Sequence, residues 1–343
     1  MVASTGSARR YDRGSVSTSL VDRLRAASAS PAGSGPAFTL DETIVTAFPG
    51  GELDAGRSKD RYRRWRESQV PRSPEYLLPR IVRPIGGTPP GFLRRASSAM
   101  TTEALREKLA DLAPWYVPFA LPDGVDTMEY TDRFGAKIFR EGNAERMRFR
   151  TELITGTVAL LLGDQLPSAN VLDIGCNSGW FSFDIADRGA RAVDGVDLRP
   201  ENIEQARFLS DYFGFDNTRF EVADATAFDD ARQWDVVMNL GVLYHVTEPL
   251  QFMRRTYELC RQFAVLDTIC HDDPFSGFVL LDTKDASHPH EGREEWEMHP
   301  TYRGAIDSLK YAGFSEIVEI VPAEDAPNGL YRTGARRCFL AVK

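Results

Sequence analysis

The chain has 343 residues, of which 42% are apolar, so it can bury a core of ordinary size in one large α/β domain with an extension, or in two domains. Its net charge of −9 is unevenly placed, since residues 1–100 carry 16 basic and 9 acidic side chains, whereas residues 101–343 carry 25 and 41. This acidic larger part argues against a broad nucleic-acid surface there, because phosphate binding requires clustered Lys and Arg.

The cysteines and the apolar runs indicate the compartment. The four cysteines are scattered without Cys-x-x-Cys spacing, which predicts free thiols of a reducing compartment rather than disulfides or a zinc site. No apolar run reaches the roughly 18 residues of a membrane span. The N-terminus has arginines but lacks the apolar segment of a signal peptide. We therefore expect a cytoplasmic protein with no membrane partner.

Residues 1–100 are predicted to form a basic, largely irregular extension. Residues 1–36 are rich in Ser, Ala, Gly and Arg, which predicts disorder, with an organellar transit peptide as the alternative. A basic cluster from Arg57 to Arg66 includes Trp65, and it is either a solvated segment or a contact surface for RNA or a partner. Prolines recur between residues 71 and 90 and argue against a long regular fold there.

Residues 101–168 are predicted to form a helical cover. One helix begins at Thr102 and ends at the stretch Pro114–Phe119. A second helix runs from Asn143 to Leu162, with apolar residues at helical spacing on one face. We expect this pair to cover the mouth of a ligand site built by the residues that follow.

Residues 169–343 are predicted to form a doubly wound α/β core. The predicted strands are 170–175, 191–197, 219–223, 234–240, 263–268, 314–321 and 336–342, and the helices between them are 179–189, 200–214, 248–261 and 300–313. This alternation is typical of a mostly parallel sheet with helices on both faces. The last two strands have no helix between them and should form an antiparallel pair. The result is a seven-stranded Rossmann-like sheet, with ligands expected at the carboxyl ends of its first four strands.

The first strand of this core leads directly into a glycine turn, Gly175 to Gly179. Both glycines can adopt backbone angles closed to other residues, and neither has a side chain to block a ligand. The second strand ends at Asp197, and an acid at that place can accept both hydroxyls of a ribose. The turn and the acid together predict a nucleoside-containing cofactor, the alternative being a strand–turn–helix unit without a ligand.

The middle residue of the turn separates two classes of cofactor. A dinucleotide presses its pyrophosphate against the backbone there and requires glycine, whereas this chain has Asn177. S-adenosylmethionine has no pyrophosphate and tolerates a side chain, so we expect it rather than a nicotinamide dinucleotide. The residues predicted to line the cofactor site are Asp173, Gly175, Asn177, Gly179, Asp197, Leu198, Asp224, Ala225 and Leu240.

Two later loops are predicted to complete the site. Asp224 follows the third strand, where a carboxylate can accept the exocyclic amine of adenine, although it is alternatively a turn residue. Tyr244 and His245 follow the fourth strand and are the predicted catalytic residues, because their polar rings are placed to meet an acceptor. His245 can take a proton near neutral pH, and its alternative role is to stabilise the loop. Methyl transfer needs mainly an in-line approach, so positioning alone can also suffice.

The excursion from Cys270 to Met298 is predicted to overhang the acceptor pocket. It and the residues just after it are rich in acids and histidines, including Glu297 and His299. The spacing of these histidines fits no strong ligand pattern, so no metal is predicted.

These residues resemble the class I S-adenosylmethionine-dependent methyltransferases. Val171 to Gly179 stands where that family has its glycine-rich first motif, and Asp197 where it has its ribose acid. Residues 112–340 are also similar to the branch that contains tRNA uridine-34 carboxymethyltransferase. The stretches that carry this similarity are Trp115–Phe119, Leu172–Cys176, Gly241–His245, Glu248–Leu250, Pro300–Thr301 and Ala312–Phe314. The first hundred residues are not covered by it.

The resemblance to that branch implies a test of the donor. There the donor is a carboxylated S-adenosylmethionine, whose extra carboxylate is met by a lysine in the Trp-containing segment, a tyrosine and an arginine near the C-terminus. Tyr244 matches the tyrosine, and Arg332, Arg336 and Arg337 are candidates for the arginine. The segment Trp115–Phe119 has no lysine. A carboxylate without its cation is costly in a closed site, so we expect plain S-adenosylmethionine.

The sequence therefore predicts a methyltransferase that acts on an oxygen or nitrogen atom of a small molecule. Three alternatives stay open. They are methyl or carboxymethyl transfer to a tRNA wobble uridine, a non-catalytic S-adenosylmethionine-binding regulator, and a nicotinamide dehydrogenase. The sequence indicates neither the acceptor nor the oligomeric state.

Overall fold

The computed structural model describes residues 39–41, 78–85, 89–95, 100–133, 143–228, 232–282, 296–323 and 329–343. The predicted disorder of residues 1–36 and the basic cluster Arg57–Arg66 lie outside these residues. The strands are β1 Thr39–Asp41, β2 Arg80–Arg83, β3 Ala120–Leu121, β4 Val125–Asp126, β5 Asn170–Ile174, β6 Ala192–Asp197, β7 Thr218–Val222, β8 Trp234–Leu240, β9 Cys260–Ile269, β10 Phe278–Asp282, β11 Trp296–Pro300, β12 Glu316–Pro322 and β13 Arg336–Val342. The α-helices are α1 Thr102–Asp111, α2 Asn143–Leu153, α3 Thr155–Leu162, α4 Trp180–Asp187, α5 Pro200–Phe213, α6 Pro249–Leu259, α7 Tyr302–Ala312 and α8 Gly329–Thr333.

A nine-stranded mixed sheet forms the centre of the fold, in the order β1-β2-β12-β13-β9-β8-β5-β6-β7. The five strands β7, β6, β5, β8 and β9 run parallel to one another. Strand β13 is antiparallel to both of its neighbours, β9 and β12. The predicted seven-stranded, mostly parallel sheet with an antiparallel closing pair is therefore confirmed, with two further strands at its β12 edge.

The two further strands come from the segment that was predicted to be irregular. β2 pairs in parallel with β12, and β1 pairs antiparallel with β2. The sequence did not predict β2, whose flanking residues Pro79 and Pro84 lie outside the strand and so remove no hydrogen bond from its interior. Buried Glu319 accepts hydrogen bonds from Arg80 Nε at 2.9 Å and from Arg337 Nη1 at 2.8 Å, which ties β2 to β12 and β13.

The second predicted helix is divided at Ile154 into α2 and α3. The hydroxyls of Thr151, Thr155 and Thr157 each donate to the carbonyl four residues earlier, at 2.7, 2.8 and 2.7 Å. Such back-bonding bends helices. Trp180 Nε1 also donates to Thr151 Oγ1 at 2.7 Å, which joins α2 to the start of α4.

The excursion after β9 forms a hairpin of β10 and β11, which was not predicted. Val279 lies opposite His299 and Leu281 opposite Glu297. Because side chains alternate along a strand, Glu297 and His299 share one buried face, whereas Trp296 lies on the exposed face. The hairpin packs against the 3₁₀ turn Leu243–His245. Residues 283–295, with His288 and His290, lie outside the described part.

An aromatic cluster holds α4 in place beneath the predicted cofactor turn. The rings of Phe92 and Phe119 each lie 5.2 Å from that of Trp180, measured between centroids. Phe183, one turn further along α4, contacts Phe213 of α5 at 5.6 Å. All four cysteines are buried free thiols. Within the described ranges, no helix has the length and apolar character to cross a membrane.

Candidate active site

The turn between β5 and α4 has the conformation that its glycines predict. Gly175 and Gly179 have φ angles of 68° and 88°, in the left-handed region that favours glycine. A Cβ atom on Gly175 would collide with Cγ2 of Val242, and one on Gly179 would lie 2.9 Å from the Phe183 ring. Gly175 N donates to Val196 O at 2.8 Å, so the turn is fixed to the end of β6. The turn therefore cannot accept larger residues at either glycine.

Asp197 at the end of β6 is coupled to this turn. Its carboxylate accepts hydrogen bonds from Asn177 N and Arg199 N, both at 2.9 Å, and from Asn202 Nδ2 at 3.1 Å. Asn177 has a φ of 51°, which asparagine tolerates better than most residues. Burial raises the pKa of Asp197, and the three donors oppose that rise. An ionised carboxylate has about four acceptor positions, so it has capacity beyond these three donors.

The loop after β7 lies beside Asp197. Ala223 N donates to the carbonyl of Asp197 at 2.9 Å. Asp224 Oδ1 accepts from Thr226 N at 2.9 Å and from Thr226 Oγ1 at 2.6 Å. Asp224 therefore does form a local turn, which was its alternative role. Ala225 in the same loop is partly buried.

Asp173 lies in the interior below the turn. It is 1% exposed, and Ser182 Oγ of α4 donates to its Oδ2 at 2.6 Å. Burial raises the pKa of Asp173 to about 7, although the bond from Ser182 opposes the rise. Asp173 thus connects β5 to α4.

The carboxyl ends of β5, β6 and β8 form one continuous wall. Val242, just after β8, packs against Gly175, as its collision with a Cβ there indicates. Leu240 at the end of β8 is buried and Leu198 after β6 is partly buried, which adds apolar surface to this edge of the sheet. A bare turn, a carboxylate and apolar side chains on one edge fit the nucleoside of S-adenosylmethionine in chemical character.

The 3₁₀ turn after β8 places both predicted catalytic residues against the hairpin. His245 Nδ1 is in ion-pair contact with Glu297 Oε1 at 2.5 Å, and His299 Nε2 lies 2.6 Å from Glu297 Oε2. The Tyr244 ring lies 4.2 Å from the His245 ring and 5.3 Å from the His299 ring, between centroids. Burial alone would raise the pKa of Glu297, but the two histidines outweigh it and lower this pKa to about 2.

A buried charge cluster lies on the other side of Tyr244. Asp267 near the end of β9 accepts hydrogen bonds from Arg150 Nη2 at 2.8 Å and from Arg336 Nε at 2.6 Å. The Tyr331 hydroxyl also donates to this carboxylate. Burial would raise the pKa of Asp267, but the two guanidinium groups prevail and hold it below its usual value.

Arg336 brings this charge cluster next to Tyr244. Its guanidinium carbon lies 6.0 Å from the centre of the Tyr244 ring. A Cβ atom on Gly241 would lie 2.8 Å from Arg336 Nη2 and 3.4 Å from the Tyr244 hydroxyl. Arg336 is thus the member of the three C-terminal arginine candidates that lies next to Tyr244.

The cluster around Asp267 and the contacts of Glu297 were not predicted. Arg150 follows Met147 and precedes Ile154 at helical spacing, so a charged residue interrupts the apolar face of α2, and this is the signal that could have identified it. Glu297 and His299 alternate along a strand, which places them on one face once the hairpin is known. In the ranges that the structure describes, no group of three or more His, Cys, Asp or Glu side chains is arranged to hold a metal ion.

Known proteins share sequence similarity with this chain. The family model for a methyltransferase domain matches residues 166–298. A ubiquinone biosynthesis O-methyltransferase of Ruegeria pomeroyi is 30% identical over 182 residues, which cover 51% of this chain and 72% of that protein. A tRNA U34 carboxymethyltransferase of Helicobacter pylori is 30% identical over 111 residues, which cover 30% of this chain but only 42% of that protein.

The fold also matches a solved structure. The crystal structure of the N-terminal domain of EvdMO1 with SAH bound superposes with a TM-score of 0.52 at 21% sequence identity. The match covers 72% of this chain and 98% of that chain. At this identity the likeness concerns the fold.

Proposed function

Because the chain belongs to the class I S-adenosylmethionine-dependent methyltransferases, we propose that it transfers a methyl group to an oxygen or nitrogen atom of a small-molecule acceptor. S-adenosylmethionine, the cofactor of this family, supplies a methyl group on a positively charged sulfur when it is bound. The proposal assigns cofactor binding to the edge formed by β5, β6, β7 and β8. It assigns acceptor chemistry to Tyr244 and His245.

In this proposal the cofactor edge binds by shape and charge. The Gly175–Gly179 turn offers bare backbone, and Asp197 offers a carboxylate for the ribose hydroxyls. Asp224 offers a carboxylate for the adenine amine, and Leu198, Ala225 and Leu240 offer apolar surface. The coupling of Asn177 N to Asp197 at 2.9 Å supports this assignment, because it fixes the acid relative to the turn before any ligand binds.

One observation carries the assignment of the acceptor side. Val242 packs against Gly175, and the same short loop continues into Tyr244 and His245. The polar rings of Tyr244 and His245 therefore follow closely in sequence after Val242, the residue that contacts the cofactor turn. His245 accepts the proton of the acceptor hydroxyl or amine, and Tyr244 orients the acceptor beside it. The ubiquinone biosynthesis relative is named an O-methyltransferase, which supports an oxygen atom as the acceptor.

A second candidate function is carboxymethyl transfer to a tRNA wobble uridine. It is favoured by the position of Arg336, whose guanidinium lies 6.0 Å from the Tyr244 ring centre, since a tyrosine and an arginine meet the donor carboxylate in the resembling branch. Two observations count against it. Arg336 already pairs with Asp267 at 2.6 Å, and the segment Trp115–Phe119 has no lysine. The small-molecule proposal is therefore preferred.

The proposal can be tested with a donor that carries a deuterated methyl group. The full-length protein is incubated with this donor and with either the small-molecule fraction or the RNA fraction of one bacterial extract, and mass spectrometry locates the label. Label in the small-molecule fraction, lost in Asp197→Ala and reduced in His245→Ala, is the expected result. Label confined to RNA would support the second candidate. Donor binding without transfer to either fraction would contradict both and favour a regulator.

A further inference from the structure

The hairpin of β10 and β11 brings a carboxylate and a second histidine to His245. Glu297 bridges two imidazole rings, with Oε1 at 2.5 Å from His245 Nδ1 and Oε2 at 2.6 Å from His299 Nε2. Glu297 and His299 are 8% and 9% exposed. Glu297 Oε2 and His299 Nε2 have hydrogen-bond geometry, whereas Glu297 Oε1 and His245 Nδ1 are buried and in ion-pair contact without the alignment of a hydrogen bond.

These distances determine which ring nitrogens carry protons. A nitrogen lone pair and a carboxylate oxygen repel each other at this separation unless a proton lies between them. The carboxylate is ionised, since the histidines lower the pKa of Glu297 to about 2. The two close contacts with an ionised carboxylate therefore favour a proton on Nδ1 of His245 and on Nε2 of His299. In a neutral ring this leaves the lone pair of His245 on Nε2, the nitrogen remote from Glu297.

We propose that Glu297 is a positioning residue that holds His245 with Nδ1 protonated and Nε2 as the proton acceptor, and that His299 fixes Glu297 in turn. The inference deepens the proposed function, because the base it orients serves the methyl transfer assigned above. Methyl transfer to a hydroxyl releases one proton as the oxygen–methyl bond forms and the methyl–sulfur bond breaks, and His245 Nε2 takes that proton. A hydroxyl acceptor gains most from such a base, since a neutral hydroxyl is a weak nucleophile.

The charged and titratable neighbours of this array are consistent with the assignment. His271, at the end of β9, lies 5.4 Å from the His299 ring, and burial and His299 lower its pKa while Asp273 opposes this. Arg336 of β13 approaches from the far side of Tyr244. Glu297 is the carboxylate that contacts both His245 and His299 directly, so its replacement should change the tautomer of His245 selectively.

The test is nitrogen NMR of the full-length protein with its five histidines labelled in the ring. Spectra of His245→Asn and His299→Asn assign the two sets of signals. At neutral pH we expect His245 with Nδ1 protonated, opposite to the Nε2-protonated form that free histidine prefers, and His299 with Nε2 protonated. Glu297→Gln should shift His245 toward the Nε2-protonated form. Glu129→Gln, in an exposed pair with Arg106, is the matched control and should leave both signals unchanged.

Each other outcome of this experiment overturns the inference. A wild-type His245 that is protonated on Nε2 alone, or on both nitrogens at neutral pH, cannot act as the proposed base. A His245 signal that is the same in wild type and Glu297→Gln would show that another group sets the tautomer. Binding of S-adenosylhomocysteine, the demethylated product, by each variant confirms that the fold has been kept.

Kinetics separate this inference from the proposed function. Once a methylated acceptor is known, Glu297→Gln should lower kcat about 10²- to 10⁴-fold, with little change in KM for the donor, and Glu297→Asp should recover part of the loss. Expected tautomers without transfer to any acceptor would contradict the proposed function alone. A rate of methyl transfer that is the same in wild type and Glu297→Gln would contradict the inference but leave the proposed function intact.

Discussion

At the scale of single residues, Asp197 makes the strongest prediction for cofactor binding. Replacing it with Asn keeps its size and removes the negative charge, and a charge-assisted hydrogen bond contributes roughly 1.5–3 kcal/mol. We expect Asp197→Asn to weaken binding of S-adenosylhomocysteine about ten- to a hundredfold, as measured by calorimetry. Asp211→Asn, on the exposed side of α5, is the control and should bind normally. Unchanged affinity in a folded Asp197→Asn variant would mean that the ribose is held elsewhere.

Asp173 predicts a pH dependence of stability. Burial raises its pKa to about 7 in the folded state, whereas an unfolded Asp ionises near 3.9. As pH rises from 5 to 7, ionisation of this carboxyl stabilises the unfolded chain, whereas the carboxyl of the folded protein stays largely protonated. Asp173 therefore lowers the free energy of unfolding over this range. Asp173→Asn has no such carboxyl, and Asn can still accept the Ser182 hydrogen bond. The free energy of unfolding of Asp173→Asn relative to wild type should therefore rise by about 2–3 kcal/mol over this range.

Urea unfolding of both proteins at pH 5 and pH 7 measures this change. Only the difference between the two proteins is compared, because other carboxyls titrate equally in both. Ser182→Ala provides a further comparison. It removes the hydrogen bond that opposes the rise in the pKa of Asp173, so its free energy of unfolding should fall more steeply with pH than that of the wild type. A difference that is constant with pH would show that Asp173 is ionised in the folded protein.

Residue-level prediction from the sequence succeeded where chain neighbours determine the geometry. Gly175, Asn177 and Gly179 occupy one turn, and their positive φ angles follow from that turn. The Arg150–Asp267 pair joins residues 117 positions apart, so no local pattern in the sequence could pair them. Glu297 was visible as one acid among several, and its importance follows from a contact with a residue 52 positions earlier, His245.

At the scale of secondary-structure elements, the hairpin that carries Glu297 depends on one close approach between backbones. A Cβ atom on Gly304, in the first turn of α7, would collide with the carbonyl oxygen of Gly277, just before β10. Thr301 also joins the two elements, since its Oγ1 accepts from Gly304 N at 3.0 Å and donates to Phe275 O at 2.6 Å. The position of the hairpin relative to the rest of the site is therefore set at Gly304.

This contact predicts that Gly304→Ala separates acceptor chemistry from cofactor binding. The extra methyl group meets backbone, which cannot rotate away, so the start of the hairpin or of α7 must shift. We expect methyl transfer to fall at least tenfold, because small misplacements of catalytic groups are costly, while S-adenosylhomocysteine binds as in wild type. Gly329→Ala is the matched control, because a Cβ there meets no atom within 4 Å. Equal loss in both variants, or lost cofactor binding in Gly304→Ala, would contradict this role.

Element-level prediction succeeded for the repeating part of the fold and failed at its additions. The alternation of strands and helices after residue 170 predicts that β5 to β9 run parallel, but it does not determine their order, since the chain crosses from β7 at one edge of the sheet back to β8 beside β5. β2 escaped prediction because two prolines flank only four residues. The hairpin escaped because its two strands of five residues are separated by a polar stretch of thirteen, much longer than the turns that identify hairpins in a sequence.

At the scale of the whole molecule, the charge distribution bears on the choice between a small acceptor and tRNA. Residues 101–343 carry 41 acidic and 25 basic side chains. Such a surface repels phosphates, so a tRNA would have to be held by the basic first hundred residues. The cluster Arg57–Arg66 is the part of that segment with the highest density of arginine.

This charge distribution predicts that tRNA binds weakly and in a salt-sensitive manner, and that methyl transfer to a small acceptor does not depend on this binding. We expect the full chain to bind tRNA no more tightly than nonspecific complexes do, with Kd on the order of 10⁻⁴–10⁻⁶ M, and to lose most of that affinity between roughly 50 and 200 mM salt. Fluorescence anisotropy with labelled tRNA measures both quantities. The combined variant Arg61→Ala, Arg63→Ala and Arg64→Ala should remove the remaining binding without changing methyl transfer to a small acceptor. Tight binding that distinguishes tRNA from a random RNA of equal length would contradict the small-molecule proposal, because nonspecific attraction to phosphates gives no such preference.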